Sequence, residues 1–378
     1  MRNNGLRIVA DANIPLLDET FGRHGEIIRV DGRTLKPSQL RNTDVLLVRS
    51  VTRVAAWLLQ HSPVQFVGTA TIGTDHLDIS WLEKHSVQWA SAPGCNADAA
   101  AQYTLAMMML SCQRLERDIY SQSVGIVGHG NVGSRVRRLL DALGISTVAC
   151  DPPLCEAGHQ GFEDLDAILQ RDIISLHVPL THEGPHATFQ MLDKERLAAI
   201  ADGALLLNTA RGDVIDGAAL LPELHSGRLF ASLDTWPGEP GVDPFLLAAT
   251  TVASPHVAGY SVEGRNNGTR AIYEDYLSWT KCDMAPPTPR TEDSSRNAFT
   301  AEHVAAGQAV TSTVIGVSGV ERDDRALRSL GGAANIESGF DALRRDYPLR
   351  REFAAWTISA PDADSRSKLK ALGFSVAQ

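Results

Sequence analysis

The sequence predicts an α/β protein: two doubly wound parallel-sheet domains with a cleft between them, then a small C-terminal α+β domain. Three observations predict it. Short apolar runs alternate with helical segments from residue 7 to residue 92, and the same rhythm resumes from residue 124 to residue 254. The second rhythm opens on Gly128-x-Gly130-x-x-Gly133. A long segment rich in Ala, Leu and Met lies between the two.

In the first domain Arg7–Ala12, Glu26–Val30, Val45–Arg49, Val64–Gly68 and Val87–Ala90 read as short buried strands. Helical segments at Leu16–His24, Val54–His61 and Leu77–His85 separate them, which gives a flavodoxin-like parallel unit. A helix is expected from about Asp98 to Tyr120. Its Met107, Met108 and Met109 read as packing rather than as a cofactor box.

The strand Val124–Val127 then runs straight into the three glycines, a helical pattern covers Val132 to Leu143 and stops at Gly144, and the apolar run Ile145–Cys150 ends at Asp151. This is the Rossmann-like dinucleotide-binding order. Gly128 makes the tight turn, Gly130 lets the backbone approach a pyrophosphate, and Gly133 lets the helix lie close to the strand. Asn131 and Val132 open a helix whose N–H groups face the phosphates. A carboxylate at Asp151 accepts from a ribose 2′-OH and repels a 2′-phosphate, and Pro152-Pro153-Leu154 supplies no Arg, so the expected cofactor is NAD.

Strands at Ile173–His177, Ala204–Asn208, Phe230–Asp234 and Thr251–Ser254, with helical stretches at Leu165–Gln170, Asp193–Ile200 and Asp216–Gly227, complete this second sheet. Residues 260–280 read as an amphipathic helix that returns to the first domain. The expected division is 1–96 with 257–285 as the substrate-binding domain, 97–256 as the NAD-binding domain and 286–378 as the C-terminal domain. Asp283–Ser295 is Pro- and Ser-rich and reads as a linker. Beyond it, a strand near Val314–Val317, helices near Asp323–Leu330 and Gly339–Arg345, a strand near Ala354–Ser359 and a helix near Asp364–Leu372 are expected. That part is short for an independent core, so a partner subunit is expected to complete it.

Of 378 residues 43% are hydrophobic, and the net charge is −10. Nucleic-acid binding needs a basic footprint and is not expected. No apolar run approaches the roughly 20 residues that cross a bilayer, and no signal-peptide core follows Met1. Cys95, Cys112, Cys150, Cys155 and Cys282 form no C-x-x-C pair, which fits free thiols in a reducing cytoplasm. His182-Glu183-Gly184-Pro185-His186 has metal-like spacing, but Gly184-Pro185 breaks any helix that would align the two imidazoles, and Asp75-His76-x-Asp78 reads as turn chemistry; no metal is expected.

Three loops at strand ends carry the polar groups that chemistry would use: Asn208-Thr209-Ala210-Arg211-Gly212-Asp213, Leu233-Asp234-Thr235-Trp236-Pro237-Gly238-Glu239-Pro240, and Ser254-Pro255-His256-Val257-Ala258-Gly259-Tyr260. An Arg at the carboxyl end of a parallel strand faces the ligand crevice, and its planar fork fits a carboxylate. A His with a Glu makes an acid–base pair, the carboxylate fixing the tautomer. Each residue also has a plainer reading: Arg211 as a surface ion-pair residue, Glu239 as a turn residue, His256 as a capping or core histidine.

With these motifs the chain resembles the D-isomer-specific 2-hydroxyacid dehydrogenases over residues 6–280. The resemblance implies that Arg211, Glu239 and His256 are catalytic, with His256 exchanging the proton, and that Asp151, Asp234 and Gly259 touch NAD. Val178 stands where a Thr contacting NAD is usual, and Gln102 replaces a usual Glu. The segments Val48–Val54, Phe66–His76, Ala92–Ala97 and Ala258–Gly264 resemble a branch that acts on a phosphorylated hydroxyacid; there Ser50, Thr71 and Tyr260 would touch substrate. Phe340–Phe353 resembles that branch's dimerisation domain, which implies a homodimer. Arg49 and Arg53 flank Ser50, and Arg49 is the candidate for the phosphate. The cluster Arg344-Arg345…Arg350-Arg351 reads either as a further phosphate contact or as solvated or ion-paired side chains. Two rivals remain: a dehydrogenase for a different D-2-hydroxyacid, and a non-catalytic NAD-sensing protein.

Overall fold

A computed structural model describes residues 5–285, 297–301, 307–332 and 335–377. The chain divides into two compact units, Met1–Asn96 with Ser261–Ser294, and Ala97–Tyr260 with Ser295–Gln378.

The first unit holds β1 (Leu6–Asp11), β2 (Gly25–Val30), β3 (Val45–Val48), α1 (Ala56–Leu59), β4 (Phe66–Thr69), α2 (Ile79–Lys84) and β5 (Gln88–Ala90). The sheet is wholly parallel in the order β2-β1-β3-β4-β5. Its inner strands are apolar on both faces because both faces are covered. The helix expected at Leu16–His24 is absent. Leu16 adopts a left-handed φ of 54° after Pro15, and only the 3-10 turn Phe21–Arg23 forms.

The second unit opens with α3 (Ala97–Arg114), buried almost all round, with Met107, Met108 and Met109 in its core. It ends short of the expected Tyr120 because Glu116 turns left-handed, at φ 55°. Then come β6 (Ser123–Val127), α4 (Asn131–Ala142), β7 (Ser146–Cys150), α5 (Pro152–Glu156), α6 (Leu165–Ile168), β8 (Ile173–Leu176), α7 (Lys194–Ala199), β9 (Leu205–Asn208), α8 (Gly217–His225), β10 (Phe230–Leu233), α9 (Pro244–Ala249) and β11 (Val252–Ala253). These strands form one parallel sheet, β11-β10-β9-β8-β6-β7. The order reverses at β6, so the ligand crevice of such a sheet lies over the carboxyl end of β6.

Register sets the site. Cys150, Val127, Leu176, Asn208, Leu233 and Ala253 pair across the sheet in one row. The residues that follow them, Asp151, Gly128, His177, Thr209, Asp234 and Ser254, therefore emerge along one edge.

Helix α10 (Val262–Thr280) returns to the first unit. Gly268 lies so close to that unit that a Cβ there would stand 2.8 Å from the Ala70 carbonyl oxygen, and Ile272, Tyr273 and Tyr276 join the core around Phe21 and Phe66.

The C-terminal part holds β12 (Asn297–Thr300), α11 (Ala309–Ser318), α12 (Val320–Arg328), α13 (Ile336–Arg345), β13 (Trp356–Ser359), α14 (Ala363–Ala371) and β14 (Ser375–Val376), with the three strands parallel. The strand expected at Val314–Val317 is instead part of α11. A short apolar run does not distinguish a buried helix from a strand. Most of the expected linker, residues 286–295, lies outside the described residues. Val310, Val314, Ile358 and Leu369 share one core with Met107, Met108 and Leu140. The small part thus completes its core on α3 and α4 of its own chain, which removes the size argument for a partner.

Candidate active site

The glycine loop follows β6. Gly128 has φ 87°, and a Cβ there would stand 2.7 Å from the His177 carbonyl oxygen and 2.9 Å from Val178 Cγ1. At Gly133 a Cβ would lie 1.9 Å from the Gly128 carbonyl oxygen, so only glycine lets α4 start this close to its strand. Gly130 is different: a Cβ would meet nothing within 4 Å, and both Gly130 and Asn131 are exposed. The first N–H groups of a helix lack intrahelical partners, and no side chain caps α4. An open helix N-terminus beside an exposed glycine fits a pyrophosphate. Asp151 closes the other side: its carboxylate accepts from His129 N at 2.7 Å and from Leu154 N at 3.1 Å, which ties the glycine loop to α5. Val178 brings a methyl to this loop where a hydroxyl was usual. The half-buried His177 has its pKa pushed down to about 3 by desolvation of the ring, so it is neutral.

The three loops after β9, β10 and β11 interlock. Asn208 shapes the first, donating to the Arg211 carbonyl at 2.8 Å and accepting from Ala210 N at 3.0 Å. Gly212 packs on the second, where a Cβ would stand 2.0 Å from the Trp236 carbonyl carbon and oxygen. Asp213 also accepts from Gly238 N at 3.3 Å. These contacts hold Arg211, half-buried, next to the loop that carries Glu239.

Glu239 Oε1 is hydrogen-bonded to His256 Nδ1, and Trp236 N donates to Glu239 Oε2 at 3.1 Å. Burial would push the Glu239 carboxyl up. The charge and hydrogen bond of His256, with Arg344 and the Trp236 N–H, outweigh burial and hold it below the usual carboxylate range. Glu239 is therefore ionised at neutral pH. Its bond to Nδ1 leaves the other ring nitrogen, Nε2, outside this pair.

His256 has a left-handed φ of 56°, rare for a non-glycine residue. Asp234 holds that turn. Its backbone carbonyl accepts from His256 N at 2.7 Å, Oδ1 accepts from Ser254 Oγ at 2.6 Å and Val257 N at 2.8 Å, and Oδ2 accepts from Ala258 N at 3.0 Å. The residue is 0% exposed. Gly259 follows in the same loop, and the Tyr260 ring meets Tyr347 edge-on at 5.6 Å.

Among residues the sequence did not single out for the catalytic loops, Arg344 of α13 acts electrostatically on Tyr260 and on Glu239. Burial works against its charge, but Tyr260, Glu239 and Asp341 outweigh burial and raise its pKa. Arg345 pairs with Asp346 at 2.8 Å. Arg350 is neither solvated nor ion-paired by any described contact, being 7% exposed and facing backbone carbonyls. Only pattern-level hints existed for these residues, since α13 reaches this region through tertiary packing, Phe340 sharing one apolar cluster with Trp236 and Val242.

The first unit carries its own set. Arg49 follows β3, and its Nε donates to Asp11 Oδ1 at 3.1 Å. Asp11 is 1% exposed, and its Oδ2 has no hydrogen-bond partner. Sequence reading missed Asp11, although an acid ending an apolar strand was a signal. Ser50 is exposed beside Arg49. Thr71 Oγ1 is 2.8 Å from Thr69 Oγ1, which in turn is 2.9 Å from His76 Nε2. Asp78 caps α2, so Asp75-His76-x-Asp78 is turn chemistry. His186 pairs with Glu156 at 2.9 Å, and no metal-ligand cluster occurs among the described residues.

Residues 99–258 match the family described as D-isomer specific 2-hydroxyacid dehydrogenase, NAD binding domain. The chain is 42% identical to the erythronate-4-phosphate dehydrogenase of Teredinibacter turnerae over 98% of this chain and 99% of that one. It belongs to the erythronate-4-phosphate dehydrogenases, a branch of the D-isomer specific 2-hydroxyacid dehydrogenases. Its Escherichia coli O157:H7 relative of that name is 38% identical over 98% of each chain. A solved D-lactate dehydrogenase from Aquifex aeolicus, complexed with NAD and lactic acid, shares the fold with a TM-score of 0.60 and 24% identity, covering 73% of this chain and 94% of that one. Residues 295–373 match a domain of unknown function, DUF3410. The chain is an NAD-dependent dehydrogenase of this family.

The position of Asp151 beside the glycine loop generates a test of cofactor choice. Asp151→Ala should weaken NAD binding and narrow the preference for NAD over NADP in steady-state assays. Equal use of both cofactors by the unaltered protein would contradict the role given to this carboxylate.

Proposed function

We propose that this chain oxidises 4-phospho-D-erythronate at C2 to (R)-3-hydroxy-2-oxo-4-phosphobutanoate with NAD, a step of pyridoxal 5′-phosphate biosynthesis. The names of its relatives support the substrate. The observation that carries the chemistry is the Glu239–His256 hydrogen bond, at the strand edge where Arg211 also stands. Arg211 holds the C1 carboxylate through its fork and polarises the C2 oxygen. His256 Nε2 takes the proton of the C2 hydroxyl, and ionised Glu239 stabilises the imidazolium that results. NAD, when bound, supplies the acceptor for the hydride from C2. Gly128, Gly130, Asn131, Val132 and Gly133 hold its pyrophosphate, Asp151 its ribose, and Val178, Asp234 and Gly259 complete its contacts. Ser50, Thr71 and Tyr260 touch the substrate, and Arg49 takes the phosphate.

We also read the chain as a homodimer of the cytoplasm. The resemblance of Phe340–Phe353 to a dimerisation domain supports the dimer, as does Leu349 within that stretch, a large apolar side chain 76% exposed. No helix among the described residues is long and apolar enough to cross a membrane.

His256→Asn should lose about 10²–10⁴-fold in turnover while NAD still binds by calorimetry. The imidazole must start neutral to accept the hydroxyl proton, so oxidation should speed up as pH rises. In Glu239→Gln the neutral amide no longer favours the imidazolium, and this limb of the pH–rate profile should move to lower pH; an unmoved limb removes Glu239 from the pair. Arg49→Ala should raise KM for the phosphorylated acid far more than for unphosphorylated erythronate, and equal effects would reassign the phosphate. Light scattering should return twice the 40.8 kDa chain mass, and a single-chain mass would refute the dimer.

A further inference from the structure

The His256 loop is held on both faces, and the second face belongs to the C-terminal part. Its N–H groups go to Asp234, as described above. Its carbonyls go to one guanidinium. Arg350 Nε donates to the Tyr260 carbonyl at 2.7 Å, and Nη2 donates to the Val257 carbonyl at 3.1 Å and to that of Ala258. Val257 and Ala258 are 0% and 2% exposed, so water does not offer these carbonyls an alternative partner. The guanidinium is itself fixed. It lies 4.5 Å from the centroid of the Tyr103 ring in α3, the Tyr103 hydroxyl donates to Asp323 at 2.9 Å, and Gln102 accepts from Phe353 N at 3.0 Å just beyond Arg350. Gln102 serves here as an amide acceptor where a Glu was usual.

We propose that Arg350 is a positioning residue for the acid–base step: it clamps the carbonyl side of the His256 loop, so that the C-terminal part sets the imidazole geometry within its own chain. The inference rests on the reading of His256 as the base. A left-handed non-glycine residue persists only where its surroundings over-determine it. Here the carboxylate of Asp234 grips the donors on one side of residues 257–260, and the fork of Arg350 grips the acceptors on the other. Removing the fork frees the loop to relax, and the imidazole then leaves the orientation that meets both Glu239 and the hydroxyl proton. Arg350 touches neither reacting atom. Its geometry assigns a task to the region described only as a domain of unknown function. The charged and titratable groups around this assembly, among the described residues, include Tyr103, Asp234, Glu239, Tyr260, Arg322, Asp323, Arg344 and Tyr347.

The test uses the full chain. Arg350→Ala should lower kcat by about 10–100-fold, the scale of a small misplacement of a catalytic group, with a much smaller loss of NAD affinity, since the glycine loop is untouched and only the Gly259 contact loosens. Added guanidinium at millimolar concentration should restore part of kcat by refilling the site, and it should not do so for Arg211→Ala. The pH limb should move to lower pH, as in Glu239→Gln, because the imidazolium loses its aligned partner. A purely structural role predicts parallel loss of kcat, NAD binding and thermal midpoint, an unmoved limb and no rescue, and that pattern overturns the proposal. Wild-type kcat in a folded Arg350→Ala protein overturns it as well. If the alanine variant does not fold, Arg350→Lys carries the test: it keeps the charge but not the fork, and kcat should fall with a shifted limb; unchanged kcat refutes the clamp. An active His256→Asn protein would instead sink the reading of the base, independently of Arg350.

Discussion

The hydrogen bond between Glu239 and His256 joins two loops that are distant in sequence, and everything proposed about this chain's chemistry depends on its being in place. A carboxylate and an imidazole meet only if both side chains are held, because free rotation would cost more than one hydrogen bond returns. The sheet does most of the holding. Leu233 and Ala253 pair in register, so Asp234 and Ser254 leave the sheet side by side. Asp234 then turns the chain into the left-handed conformation at His256. Gly212 lets the Arg211 loop lie against Trp236. Burial of Glu239 raises the stakes, because a buried carboxylate is tolerated only with partners, and His256, Arg344 and the Trp236 N–H are those partners.

Much of this was legible in the sequence because it is local. The three glycines and Asp151 sit at spacings fixed by one strand–turn–helix–strand unit, and the carboxyl ends of apolar runs locate the loops. Most of what escaped reading depends on distant contacts, the first helix being a local exception. Leu16–His24 has helical spacing, but Pro15 and the left-handed Leu16 break it. Val314–Val317 has the composition of a strand and is a helix, because α3 offers it a face to pack on. Asp11 and Arg49 are 38 residues apart in sequence and Arg350 lies 90 residues from Tyr260, so no periodicity reveals either pairing. The arginine cluster at 344–351 was visible as charge, whereas its division among Tyr260, Asp346 and the loop carbonyls was not.

A chain of net charge −10 that acts on an anionic acid needs cations where the ligand sits. Within the second unit Arg344 acts on Glu239, and within the first Arg49 is tethered by a buried carboxylate. The C-terminal part shares its core with α3 and sends Arg328, through carbonyls of Leu247, Thr250 and Thr251, and Arg350 into the loops around β11. It is built into the second unit, where Arg328 and Arg350 donate to loop carbonyls and the charge of Arg344 acts on Glu239.

The most direct measurement of the central claim is NADH formation by the purified chain across a panel of D-2-hydroxyacids under one set of conditions. The account predicts that 4-phospho-D-erythronate has the highest kcat/KM of the panel, with unphosphorylated erythronate, lactate and 3-phosphoglycerate well below it. A higher kcat/KM for any other member, or no NADH formation from any, would contradict it.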